Sequence, residues 1–306
     1  MSKLLFSLAL ITASLTAKSH EYLEFDTLMT AFGTDLDTVE ITTQEISEGV
    51  YVLFGSGGNS LASIGEQGTL IVDSMYAQLV PKIQSTINDL GGDTVDFIIN
   101  THFHFDHADG NPLLSRNGAW IIAHSNARRM MAGEHPIDMV SLAYLQPPYP
   151  NDTLPVITYD DHMQFHFNGD TIDLMHFSPA HTTGDTAIYF RNANIVHMGD
   201  VFNAGYPFID AGNGGDLDGM IEFSKRVLNT INEDTSVLPG HGPVLGYEDL
   251  ELFINMLDIV RDRISYLIDT GSSLEDVIAA EPTREFDDRY GDPSGLINRA
   301  YMSLSR

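Results

Sequence analysis

The densest chemistry in the chain lies in Thr101-His102-Phe103-His104-Phe105-Asp106-His107. Histidines two apart at the end of a β-strand point to the same side, so His102 and His104 fall together. As the chain leaves the strand, Asp106 and His107 turn toward a second position beside them. These four side chains directly follow the apolar run Phe97-Ile98-Ile99. That is the pattern of a metal site: imidazole is the commonest transition-metal ligand, and crowding unpaired imidazoles together without a cation is costly. Three later residues have the same setting. His181 lies in Ala180-His181-Thr182-Thr183-Gly184-Asp185, Asp200 follows Gly199, and His241 lies in Pro239-Gly240-His241-Gly242-Pro243. Each follows a predicted strand and sits in a tight turn. Singly, such residues read as turn formers; in this order after the first cluster they are candidates for the same site. The chain has no cysteine, so no thiolate can join it.

The elements that must position these residues are legible from periodicity. Short strands are predicted at 39–41, 50–54, 61–64 and 69–73, punctuated by Gly55, Gly57, Gly58 and Gly65. A helix is predicted over 78–90, stopping at Gly91-Gly92. Strands at 97–99 and 120–122 follow, then a helix near 126–131. Residues 133–157, rich in Pro, Tyr and Asn, read as an irregular excursion over the site. Strands return over 163–190, with a turn at Asn168-Gly169-Asp170, and again at 195–198 and 237–238. Apolar spacing predicts helices over 217–231 and 253–268. Strands and helices, then strands and helices again, fit two mixed sheets with helices outside both. No linker divides residues 20–306, which read as one domain.

The first 19 residues read differently. Lys3 precedes a short apolar run, residues 4–15, and Ala17-Lys18-Ser19 offers small residues where a signal peptidase reads. The expectation is a signal peptide over 1–19 and a periplasmic or secreted protein, free of the membrane after cleavage. The formal net charge is −28, and removing Lys3 and Lys18 makes the mature chain more negative still. Such a surface repels phosphate backbones and anionic membranes, which argues against nucleic acid as partner and for a small-molecule substrate. Composition says nothing of oligomeric state.

The motif His-x-His-x-Asp-His, followed by His-Thr-x-Gly-Asp, Gly-Asp and Gly-His-Gly, resembles the metallo-β-lactamase superfamily over about residues 45–270. The resemblance implies an α/β fold, an αββα sandwich of two mixed β-sheets with outer helices, and two Zn²⁺ per chain at one edge. It implies that His102, His104 and His181 hold the first metal, that Asp106, His107 and His241 hold the second, and that Asp200 bridges them. Asp106 and Asp200 are then the catalytic carboxylates. Asp73, closing Leu70-Ile71-Val72, resembles the family's first motif, a carboxylate supporting the metal-binding loop. Asp73 and Asp185 are candidates to orient ligand imidazoles. His124, His162, His166, His176 and His197 read as structural, and Gly55-Ser56-Gly57-Gly58 as a turn at the site rim.

Departures from the family pattern narrow the activity. Zinc β-lactamases of one subclass carry cysteine at the position of Asp200, and those of another carry serine; aspartate resembles glyoxalase II, lactonases and phosphodiesterases. His104 stands where flavin-linked di-iron reductases of this fold have glutamate, which favours hydrolysis over redox work. The resemblance implies a hydrolase opening a cyclic amide or ester bond by a metal-bound hydroxide, β-lactamase-like or lactonase-like. The alternatives are a thioesterase of the glyoxalase II type and an iron-dependent oxygenase of the same fold. Residues 201–216 contain no Lys, Arg, Ser or Thr, include Asp210 and Asp216, and have Tyr206 as their single hydroxyl. A buried substrate carboxylate without a partner is costly, so neutral lactones or esters are expected over β-lactams, with Tyr206 placed to orient a carbonyl and Arg128 or Arg129 as remote sources of a cation.

Overall fold

The computed structural model describes residues 21–306, so the leader expected over residues 1–19 lies outside the described residues. The strands are β1 (Thr42–Ser47), β2 (Val50–Phe54), β3 (Ser60–Gly65), β4 (Gly68–Val72), β5 (Val95–Ile99), β6 (Trp120–His124), β7 (His135–Asp138), β8 (Ala143–Gln146), β9 (Ile157–Tyr159), β10 (His162–Phe167), β11 (Asp170–Met175), β12 (Ala187–Phe190), β13 (Ile195–His197), β14 (Ser236–Leu238) and β15 (Leu245–Gly246). The first sheet runs β1-β2-β3-β4-β5-β6-β9 and the second β10-β11-β12-β13-β14-β15, while β7 and β8 pair as a separate hairpin. Both large sheets mix parallel and antiparallel pairs.

Alternation along the strands builds three apolar layers. Leu70 and Val72 of β4, Ile99 of β5 and Ile122 of β6 meet Ile172, Leu174, Ile188 and Phe190 of the second sheet in a central core. Their neighbours Ile71, Ile98 and Ile121 face the other way, onto the helix Val80–Asp89 and the N-terminal helix Phe25–Ala31. Tyr189, Val196 and Val237 likewise turn outward onto the helices Leu217–Leu228, Tyr247–Asp269 and Ser294–Leu304. Period-2 side-chain alternation thus yields the αββα order, each sheet burying both faces. Among the described residues, no helix is long and apolar enough to cross a membrane.

Two expectations are corrected, and one stretch carried none. The first strand lies at 42–47, not 39–41; its exposed edge position gives it little apolar periodicity to read. Residues 133–157 are irregular only in part, since they contain the β7–β8 hairpin, which is tied to the N-terminal segment where Leu23 N–H donates to Ala143 O at 2.9 Å. The chain also continues past its long helix into the helices Leu274–Ala279, Asp287–Tyr290 and Ser294–Leu304, which spacing did not predict.

Candidate metal centre

The topology brings the functional loops to one edge. Strands β4 and β5 run parallel, and so do β13 and β14. In the second sheet β12 pairs antiparallel with both β11 and β13, so those two share a direction. Asp73, the His102–His107 segment, His181, Asp200 and His241 therefore all follow strands that end on the same rim. A short helix, Phe105–Ala108, turns Asp106 and His107 inward. Gly58 N–H donates to Asp106 O at 3.0 Å and Ser74 N–H to His107 O at 2.8 Å, fixing that turn. Gly58 is required because any Cβ there would collide with the His107 ring.

All seven residues singled out in the sequence meet at this rim. Ligand atoms of His102, His104 and His181 lie within 4.8 Å of one another, as do those of His102, His107 and Asp200, and those of Asp106, His107 and His241. Hydrogen bonding fixes which nitrogen of each ring faces inward. Thr101 Oγ1 donates to Asp73 Oδ2 at 2.7 Å, so it accepts from His102 Nδ1 at 2.9 Å. His107 Nδ1 donates to the same Asp73 oxygen at 2.7 Å. His104 Nε2 donates to Asp210 Oδ2 at 2.9 Å, and His181 Nδ1 to Phe208 O at 2.8 Å. Each ring's outer nitrogen thus carries the proton, leaving a lone pair on His102 Nε2, His104 Nδ1, His107 Nε2 and His181 Nε2.

Those lone pairs have no satisfactory protein partner. His104 Nδ1 and His181 Nε2 face each other at 2.8 Å, which is repulsive when both lack protons. Buried His102 Nε2, His107 Nε2 and Asp200 Oδ1 make no hydrogen bond, although His107 Nε2 stands 3.0 Å from that carboxylate oxygen. Buried polar atoms are rarely left unsatisfied. The donor set fits transition-metal ions: a cation supplies the partner that every inward atom lacks.

Electrostatics agree. Burial, the strongest influence on His102, pushes its pKa well below the ordinary value, and the neighbouring His107, His181 and His104 push it further. Burial lowers His181 too, with His104 adding to it. Burial would raise Asp106 and Asp200, yet the facing imidazoles prevail, holding Asp106 at about 2 and Asp200 well below its usual range. Burial opposes charge on His107 and His241, but Asp200 and Asp106 overcome it, raising His107 well above its ordinary value and His241 to about 10. The carboxylates demand positive charge at this spot, and a proton and a metal ion compete for the same nitrogens.

Other expectations resolve residue by residue. Asp73 does orient a ligand-type imidazole, that of His107. Asp185 touches none: it accepts from Ala180 N, Thr182 N and Thr182 Oγ1, bracing the backbone turn around His181. Asp210 and Asp216 do not face the cavity as repelling acids. Asp210 is buried against His104 and Asn213, and Asp216 caps the helix Leu217–Leu228 through Gly219 N. The Tyr206 hydroxyl donates to Asp287 Oδ1 at 2.8 Å and so is not offered to a substrate. Arg128 is bound to Pro155 O, and neither it nor Arg129 lines the cavity. His197 is structural, accepting from Gly199 N and donating to Asn59 O, so it anchors the turn that carries Asp200.

Sequence reasoning missed Asp210 as the partner of His104. It also missed Asn59, whose Nδ2 donates to Pro239 O and Gly242 O at 2.9 Å each and pins the His241 loop to the first sheet. The rim opens into a cavity of about 590 Å³ that includes His104, Asp106, His181, Asp200 and His241.

A sandwich of this order with such a cluster at one edge defines a class, and comparison gives it a name. The model of the metallo-beta-lactamase superfamily matches residues 54–241, and the chain belongs to that superfamily. A probable metallo-hydrolase of Methanocaldococcus jannaschii is 26% identical over 211 residues, 66% of this chain and 97% of that protein. A probable metallo-hydrolase of Bacillus subtilis is 36% identical over 83 residues, 26% of this chain and 39% of that protein. Among solved structures, a metallo-beta-lactamase from Pontibacter korlensis superposes with a TM-score of 0.58 at 16% identity, covering 72% of this chain and 99% of its own. The DIM-1 metallo-beta-lactamase does so with a TM-score of 0.56 at 14% identity, covering 72% of this chain and 98% of its own. The chain is a metallo-hydrolase of this fold.

Proposed function

We propose that the chain is a secreted dinuclear zinc hydrolase that opens a cyclic ester or amide bond. The observation that carries this reading is the convergence of four inward-facing imidazole nitrogens and two ionised carboxylates on one rim, each ring held from behind by an acceptor. In this reading His102, His104 and His181 would hold one zinc and Asp106, His107 and His241 the other, with Asp200, 3.0 Å from His107 Nε2 and 3.8 Å from His181 Nε2, available to both. Nitrogen and oxygen donors without thiolate suit a hydrolytic zinc pair. Zinc bound there supplies Lewis acidity toward an acyl oxygen and lowers the pKa of water to about 7.

The chain's own residues do the remainder. Asp73, Asp210 and the Phe208 carbonyl lock the tautomers of His107, His104 and His181. Asp106 and Asp200, ionised at neutral pH, would hold cations at the cavity floor and accept a hydrogen bond from the attacking water there, orienting it. Phe105 and Phe208 exclude bulk water beside them.

The substrate's charge follows from the lining. Among the described residues, no Lys or Arg borders the cavity, so a substrate carboxylate finds no ammonium or guanidinium partner there. Neutral lactones and esters are favoured over β-lactam antibiotics, which carry a carboxylate. The test is kcat/KM of zinc-loaded protein for a neutral lactone, a penicillin and a carbapenem. The lactone is expected to be turned over at least as well as either antibiotic. A strong preference for the antibiotics contradicts the substrate assignment, and no hydrolysis of any acyl substrate contradicts the reading itself.

A further inference from the structure

The matched superfamily region ends at residue 241 and begins at residue 54, yet the cavity over the site is walled in part by residues outside it. Phe32 follows the N-terminal helix, and Leu296 lies in the C-terminal helix. Between them stand Ile137 and Met139 of the β7–β8 hairpin and Phe208 of the loop after Asp200. Four separate stretches of chain thus turn apolar side chains toward one space. Phe32 remains 43% exposed at its mouth, an aromatic ring left in water where the neighbouring apolar side chains leave room for a partner.

The wall is built rather than incidental. Asp138 of the hairpin accepts from Arg299 of the C-terminal helix at 3.3 Å, and Arg299 is itself buried. Pro136 O accepts from Asn213 Nδ2 at 2.8 Å, and Leu23 N–H donates to Ala143 O at 2.9 Å. The N-terminal segment, the hairpin, the loop after Asp200 and the C-terminal helix are therefore joined by hydrogen bonds around the opening. The acids that the loop contributes, Asp210 and Asp216, are turned inward to His104 and a helix N-terminus. What faces the cavity away from the metal cluster is mainly apolar, and its volume of about 590 Å³ is that of a site for a drug-sized molecule.

We infer that this wall, formed by Phe32, Ile137, Met139, Phe208 and Leu296 against the metal cluster, is a binding subsite for the apolar acyl chain or ring of an uncharged ester or lactone. The inference rests on the proposed hydrolase for its orientation, with the scissile carbonyl at the cluster and the apolar group against the wall. Selectivity for chain length then belongs jointly to Phe32 and Leu296, outside the matched superfamily region, and to Ile137, Met139 and Phe208 within it.

The experiment uses zinc-loaded protein with p-nitrophenyl esters from acetyl to octanoyl, together with calorimetric binding of N-butyl and N-octyl acetamide. A fully buried methylene is worth about a fourfold gain. In an open-mouthed cavity about half that free energy is realised, about twofold per methylene, so octanoyl should exceed butanoyl by roughly 15-fold in kcat/KM. N-octyl acetamide should bind more tightly than N-butyl acetamide by a similar factor. Phe32→Asp and Met139→Gln, both at positions only partly buried, should collapse the octanoyl-to-acetyl ratio and the octyl-to-butyl ratio toward one. A flat chain-length profile, equal binding of the two amides, or ratios unchanged in both variants would overturn the subsite. If no ester is hydrolysed while the octyl amide still binds more tightly and both variants abolish that preference, the subsite stands and the hydrolase reading fails.

Discussion

Replacing Asp73 with asparagine changes one atom and should invert the chemistry of His107. Asp73 is fully buried, and its two oxygens accept from Thr101 N at 2.8 Å, Thr101 Oγ1 at 2.7 Å and His107 Nδ1 at 2.7 Å. Its φ of 58° is left-handed, a conformation asparagine adopts as readily as aspartate, so the substitution adds no backbone strain. The amide oxygen can keep the bond from Thr101 N. The amide nitrogen then replaces the oxygen that served Thr101 Oγ1 and His107, and it can only donate. His107 must accept on Nδ1, which moves its proton to Nε2 and removes the lone pair facing Asp200 and Asp106. Loss of such an outer partner typically costs about 10- to 100-fold in metal affinity, or about 1.4–2.7 kcal/mol. The assay is competition for zinc against a chromophoric chelator, resolving two affinities per chain. The site holding His107 should weaken by that factor, while the site built on His102, His104 and His181 changes much less. Two wild-type affinities in the variant would refute the tautomer argument.

Three further expectations follow from the same geometry. Asp200→Ala removes the carboxylate shared by both triads, so zinc should fall toward one per chain and turnover by orders of magnitude; His162→Ala, at a half-exposed ring paired with Asp173, should leave zinc unchanged, and equal loss in both would mean the ligand is misassigned. Asp210→Ala strips His104 Nε2 of its acceptor, so the affinity that weakens should be the one Asp73→Asn spares, by about 10- to 100-fold; chelator competition would contradict this by showing the same site weakened in both. Arg191→Ala leaves buried Asp173 with only Gln164 and His162 as partners. Burial opposes ionisation of Asp173, but Arg191 and those partners hold its pKa below the ordinary value. A carboxylate with a depressed folded pKa contributes stability above its unfolded value that is lost as pH falls through the folded one. Urea unfolding should therefore show a gap of about 1 kcal/mol between wild type and variant at pH 7, shrinking as the pH drops below about 4; a gap independent of pH would contradict the assignment.

Much of the site was legible because its residues flank strands whose apolar alternation is strict. Val72 precedes Asp73, Ile99 precedes the histidine segment, and Leu238 precedes the turn to His241. Once the strands are placed, the loops carrying ligand-type side chains follow from the period-2 rule and sheet direction. The partners behind the rings were less legible. Asp210 and Asp216 sit in a loop whose composition alone suggested two acids facing a substrate, and only the fold of that loop turns them inward. Asp185 illustrates the same limit, since a carboxylate four residues from His181 can reach either the ring or the backbone turn, and here it takes the turn. Asn59 acts across 180 residues on Pro239, a pairing that no local pattern encodes. The β7–β8 hairpin and the short C-terminal helices escaped prediction because they are brief and borrow their apolar contacts from distant segments. Tyr206, the one hydroxyl in its loop, is spent on Asp287 of that same C-terminal region.

The central claim is that this rim holds two zinc ions, and elemental analysis of the intact chain after zinc supplementation and removal of free metal tests it most directly. About two zinc ions per chain are expected. At most one zinc per chain with Asp200 intact, or a content dominated by iron, would contradict it.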